Sequence, residues 1–175
     1  GWLYTGDKVR VDEDGFILVI PDGSSNPQGQ QFWNATDACC DFYESEVDDV
    51  SYIKGLINEA KEKFSVDSRR VYLIGHSNGG FMSYRMACEA SDMITAIASL
   101  AGSDYLSETA CSNTEPVSVL QIHGTDDATI AFDGTEDYPS ATDVVERWRS
   151  RNRCGALKEK SSIGIERNLA GNETA

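Results

Sequence analysis

The chain has 175 residues, with 15 Lys+Arg against 29 Asp+Glu and a formal charge of −14. One domain fits that length, since domains commonly run to about 100–200 residues, and 40% apolar with 25% charged residues reads as globular and soluble. The acidity excludes electrostatic attraction to nucleic acid or an anionic membrane, and no apolar run approaches the roughly 18 residues of a membrane span.

Taken in chain order, residues 5–13 read two ways. Val9 and Val11 alternate like a strand, whereas the surrounding charges suit an exposed helix. Phe16-Ile17-Leu18-Val19-Ile20 is a short apolar run closed by Pro21-Asp22-Gly23, which predicts a strand buried on both faces and then a turn. Residues 22–46 are rich in Ser, Asn, Gln, Gly and Asp and predict a long functional loop. The apolar positions Val47, Val50, Ile53, Leu56, Ile57, Ala60 and Phe64 repeat with helical spacing, and Asp48 and Asp49 suit the first turn. Val71 to Ile74 predicts a second buried strand, residues 79–90 a helix, Ile94 to Leu100 a third strand and Val117 to Ile122 a fourth. Thr142 to Arg151 closes the series as an amphipathic helix. Short apolar strands separated by helices predict an α/β fold, a mainly parallel sheet with helices on both faces.

The five cysteines are Cys39, Cys40, Cys88, Cys111 and Cys154. They form no CxxC pair and no Cys/His grouping at zinc spacing, so neither a metal site nor a cofactor is expected. Two disulfides and one leftover thiol fit an exported protein, extracellular or periplasmic. Cys88–Cys111 is one plausible bridge. Cys39 and Cys40 are expected to look elsewhere than to each other, with Cys154 a partner for one of them. Asn34-Ala35-Thr36 and Asn172-Glu173-Thr174 match the glycosylation sequon. The chain opens on Gly1 with no signal-peptide pattern and closes on Gly171-Asn172-Glu173-Thr174-Ala175, as a processed product or a piece of a longer chain would.

The chemistry concentrates at Gly75-His76-Ser77-Asn78-Gly79, a G-x-S-x-G sequence placed directly after a predicted strand and opening a predicted helix. Glycines let the backbone turn tightly, the turn lifts the Ser77 hydroxyl as a nucleophile, and the backbone N–H of Asn78 points where a carbonyl oxygen becomes an oxyanion. An acid should follow on a loop after a later strand, and His123-Gly124-Thr125-Asp126-Asp127 follows Val117–Ile122. Asp126 and Asp127 are both candidates. The base is harder to find. Only two histidines are present. His76 lies inside the turn with its side chain directed away, and His123 sits four residues before the acid. No histidine follows in residues 128–175.

These motifs resemble the extracellular polyhydroxybutyrate depolymerase-like esterases, which group with feruloyl and acetylxylan esterases in the α/β-hydrolase superfamily. The matching stretches run from Gly15 to Gly23, Trp33 to Ala35, Val47 to Val50, Arg70 to Gly80 and Ile122 to Asp127, with Trp148, Asn152 and Cys154 matching a W-x-x-x-N-x-C ending. The resemblance implies Ser77 as nucleophile and Asp127, four residues after the histidine, as the acid. It also implies an oxyanion strand and loop before this chain and a catalytic histidine loop after it, so residues 1–175 are expected to be one catalytic domain lacking both and to be inactive or nearly so alone. The expected activity is serine ester hydrolysis through an acyl-enzyme, on feruloyl or acetyl esters of plant polysaccharide, with Trp33 contacting the acyl group or sugar. An aliphatic polyester such as polyhydroxybutyrate is the alternative substrate, and a catalytically dead hydrolase-like binding protein the alternative of another class.

Overall fold

The computed structural model describes residues 8–155. The sequon at Asn172 and residues 5–7 of the ambiguous first segment lie outside the described residues. Within them the ambiguity resolves to strand: β1 (Lys8–Val11) pairs antiparallel with β2 (Ile17–Ile20), placing Val9 opposite Val19. Gly15, at φ +83°, makes the turn between them. The loop expected over 22–46 contains a small hairpin, β3 (Ser24–Ser25) with β4 (Gln31–Phe32). Its Asn26–Gln30 turn is closed by Asn26 Oδ1, which accepts from the N–H groups of Gln28 and Gln30.

The central sheet is parallel, in the order β5 (Tyr72–His76), β6 (Ala96–Leu100), β7 (Ser118–Ile122). Leu73, Ile97 and Val119 lie side by side in register, and Gly75, Ser99 and Gln121 form the next row. These rows face the helices. Helix α1 (Asp49–Lys63) starts at Asp48, whose carboxylate accepts from Ser51 N–H. Helix α2 (Asn78–Glu89) lies across β5 and β6. Helix α3 (Ala141–Arg151), capped by Ser140, packs on β7. Tyr84 of α2 and Trp148 of α3 meet with ring centroids 5.9 Å apart, which places both helices in one layer. The core lies between this layer and the sheet, around Phe81, Met86, Ile97, Val117 and Val144.

The α/β arrangement is as expected, and among the described residues α2 and α3 lie on one face of the sheet. Right-handed crossovers that add strands in one direction keep their helices on one side. The β6–β7 connection carries only a 3₁₀ turn, Glu108–Ala110. The opposite face presents Tyr72, Ile74, Leu120 and Ile122 to solvent, with Ile74 83% exposed. β2 likewise exposes Leu18 and Ile20. An apolar run marks a strand that can be covered twice, but the cover itself must come from elsewhere in the chain.

The cysteines follow the expectation in part. Cys88 and Cys111 are bonded, joining the end of α2 to the loop before β7. Cys39 and Cys40, expected to look elsewhere, are bonded to each other across a cis peptide that brings their Cα atoms to 3.0 Å. Cys154 is therefore unpaired and exposed.

Candidate active site

The turn from β5 into α2 is built by close backbone approach. A Cβ on Gly75 would lie 1.9 Å from the carbonyl oxygen of Gly79, so only glycine fits there. Gly79 itself faces open space. One turn on, Gly80 packs against Gly102, where a Cβ would fall 2.5 Å from the Gly80 carbonyl carbon. This contact seats the start of α2 on the end of β6. Ser77 takes φ 52° and ψ −119°, a conformation that L-residues rarely adopt. It is held by its own N–H, which donates to Leu100 O at 2.8 Å, and by its carbonyl, which accepts from Gly80 and Phe81 N–H. Such a strained, tied serine between strand and helix is the geometry of a nucleophile elbow. Asn78 opens α2, where the helix provides no acceptor for its N–H.

The Asn78 side chain has a separate task that sequence reading missed. Its Oδ1 accepts from Trp33 N–H at 2.6 Å and its Nδ2 donates to Trp33 O at 2.9 Å. The Asn78 amide thus pairs with the Trp33 backbone as a strand neighbour would. The Trp33 ring stacks on Tyr52 of α1, centroids 6.2 Å apart, and is half-buried. Asn34, of the first sequon, donates through Nδ2 to Val47 O at 3.1 Å, so this side chain closes the loop onto the approach to α1.

The acid loop follows β7. Asp127 Oδ1 accepts from the N–H groups of Thr129 and Ile130 at 2.9 and 3.0 Å. Those two donors hold its carboxyl below the ordinary carboxylate range. Asp126 is exposed.

Both histidines are accounted for. His76 alternates with Tyr72 and Ile74 on the exposed side of β5, away from the helical layer. His123 is engaged at both nitrogens. Gln121 Nε2 donates to Gly102 O at 2.8 Å, which fixes the amide orientation, and it also lies 3.0 Å from His123 Nδ1. Nδ1 must therefore accept. Nε2 faces Ile130 O at 2.8 Å and must donate. With Nδ1 accepting and Nε2 donating, the ring links β7 to the loop that follows it, and it has no nitrogen left for a substrate proton. Tyr84 completes the chain by donating to Gln121 Oε1 at 2.8 Å. A polar Gln inside the apolar run Val117–Ile122 was the available signal for this network.

A buried acid, Asp104, follows β6. It accepts from Trp148 Nε1, Arg151 Nη1 and its neighbour Tyr105 N–H, so it ties α3 to the sheet. It lies with Cys88 and Cys111 in a buried group whose ligand atoms fall within 4.8 Å of one another. The disulfide consumes the thiolates that a metal would require there.

A parallel sheet, a strained serine between its first strand and the next helix, and an acidic turn after its third strand define an α/β-hydrolase of the esterase group. Residues 19–144 match the phospholipase/carboxylesterase family, and the chain belongs to it. Among curated relatives, it is 33% identical over 163 residues to feruloyl esterase B of Piromyces equi, covering 86% of this chain and 29% of that protein. It is 26% identical over 147 residues to a bifunctional acetylxylan esterase/xylanase of Neocallimastix patriciarum, covering 84% of this chain and 19% of that protein. It is 31% identical over 114 residues to feruloyl esterase D of Neurospora crassa, covering 65% of this chain and 34% of that protein. The chain thus spans about a third or less of the length of these relatives. Among the described residues, no helix is long and apolar enough to cross a membrane.

Proposed function

We propose that the protein is a serine carboxylic-ester hydrolase acting through an acyl-enzyme on feruloyl or acetyl esters of plant polysaccharide. The observation that carries this reading is the backbone of Ser77, at φ 52° between β5 and α2. Strain of this kind persists where a side chain must be presented in a particular direction. In the proposed mechanism, Ser77 Oγ attacks the ester carbonyl as a histidine takes its proton. The Asn78 N–H and a second donor receive the oxyanion, and the same histidine then protonates the leaving alcohol. Water repeats the sequence on the acyl-enzyme and releases the acid.

Asp127 orients that histidine. Ser77 and Asp127 stand at the C-terminal ends of strands separated by β6, hence about two strand spacings or ~10 Å apart in the sheet. An imidazole between them bridges such a gap. His123 has both nitrogens engaged and His76 faces the other side, so the proposed base comes from outside residues 1–175, and these residues form part of one catalytic domain. Trp33 is the proposed contact for the acyl group. Similarity to a feruloyl esterase and to an acetylxylan esterase supports polysaccharide esters as the substrates, and the Cys88–Cys111 bridge supports export to an oxidising compartment.

The test is to express the full-length protein and assay nitrophenyl acetate and methyl ferulate. Ser77→Ala is expected to abolish turnover of both, by on the order of 10³-fold or more. Retained turnover would refute the serine mechanism, and a folded wild-type protein inert to both esters would favour a binding role.

A further inference from the structure

The dipeptide Trp33-Asn34 is held at every backbone polar group. Asn78 takes the Trp33 N–H and C=O. Asp49 Oδ2 accepts the Asn34 N–H at 2.7 Å, and Arg85 Nη1 donates to Asn34 O at 2.6 Å. The donors and acceptors come from the first turns of two helices and from the middle of α2, so a loop residue is tied into the rigid layer of the fold. Asp49 is only 3% exposed, an unusual place for a carboxylate whose bond is to a loop amide. Burial raises its carboxyl above the ordinary range. The Asn34 N–H and Arg85 oppose that rise, while Asp41 and Asp48 add to it. A helix-capping role does not account for Asp49, because Asp48 already caps α1.

We propose that Asp49 is a positioning residue for acyl specificity: by holding Asn34 it fixes, together with the Asn78 amide, the Trp33 backbone and thereby the wall that an aromatic acyl group meets. This rests on the esterase reading and on Trp33 as the acyl contact. Asp49 acts through Trp33 and does not touch the reacting atoms. Because Asn78 carries both the oxyanion N–H and the loop clamp, the acyl wall and the oxyanion site are fixed relative to each other.

The experiment separates binding from chemistry. In the full-length Ser77→Ala background, ferulate affinity is read by quenching of tryptophan fluorescence. Adding Asp49→Ala is expected to weaken ferulate about tenfold, as loss of one charge-assisted hydrogen bond implies. Asp49→Asn, whose amide oxygen still accepts from Asn34, is expected to restore affinity to within about twofold of the parent. With Ser77 intact, Asp49→Ala is expected to raise KM for methyl ferulate while kcat for nitrophenyl acetate is kept. Ferulate affinity unchanged by Asp49→Ala overturns the proposal, and so does a Ser77→Ala protein that binds no ferulate. If Asp49→Ala does not fold, Asp49→Leu, which keeps the volume but offers Asn34 no acceptor, takes its place in the ferulate titration, and unchanged affinity overturns the proposal. Failure of the esterase reading shows separately, as turnover that survives Ser77→Ala.

Discussion

Ser77 and Asp127 each have a conformation that short-range chemistry explains. At Ser77 the strain is tolerated because Gly75 removes the one side-chain atom that would collide with Gly79. At Asp127 the carboxylate closes its own turn onto Thr129 and Ile130. Because its folded-state pKa is lowered, the stabilisation of this turn is complete above the unfolded carboxyl range near 3.8 and is lost as pH falls through the lower folded value. The amide resonances of Thr129 and Ile130 are therefore expected to shift together on acidification, with a midpoint below 3.8. A midpoint at or above that value would show that the turn does not depend on the ionised carboxylate. The G-x-S-x-G turn and the two aspartates after β7 are visible in the sequence as motifs. The two bonds of His123 are not, because its two partners, Gln121 and Ile130, meet it only once the strand and the loop are folded.

At the level of elements, two asparagines make the same device. Asn78, at the start of α2, pairs with both backbone groups of Trp33. Asn152, the cap of α3, accepts from Val117 N–H at 3.2 Å and donates to Val117 O at 2.8 Å, so it extends the ladder just before β7. Asn152→Ala leaves two backbone groups of a buried residue without partners. It is expected to lower stability by about 1–3 kcal/mol, read from urea denaturation. A loss within error of zero would show that water replaces the amide. The helices were legible because their apolar spacing and their caps, Asp48 and Ser140, are local signals. The strands were legible as apolar runs. Which faces are covered was not, since β5 and β7 alternate between half-buried and exposed positions with apolar residues among both.

On the scale of the whole molecule, the face of the sheet left uncovered among the described residues has the largest physical consequence. Tyr72, Ile74, Leu100, Leu120 and Ile122 are exposed together on neighbouring strands, where an apolar patch drives association. The 175-residue chain by itself is expected to self-associate with rising concentration in sedimentation experiments and to hydrolyse nitrophenyl acetate very weakly or not at all. A monomer at all concentrations with ready turnover would contradict both expectations. Ile74→Lys is expected to reduce the association, because it places a charge at the most exposed position of the patch.

The order of strands and helices, the Gly75–Gly79 turn and the His123–Asp127 turn are all written locally, over spans of a few residues. A period of 3.6, an apolar run or a glycine beside a serine states its own conformational preference. The Cys39–Cys40 bond, the one-sided helical layer among the described residues, the two bonds of His123 and the Asn78 and Asp49 hold on Trp33-Asn34 carry no such mark. Each depends on partners or cover that the local pattern does not name. Asn78 and Trp33, for example, stand 45 positions apart. Hydrogen bonds between distant residues impose no period on the chain, so they become visible only when folding has brought the partners within reach.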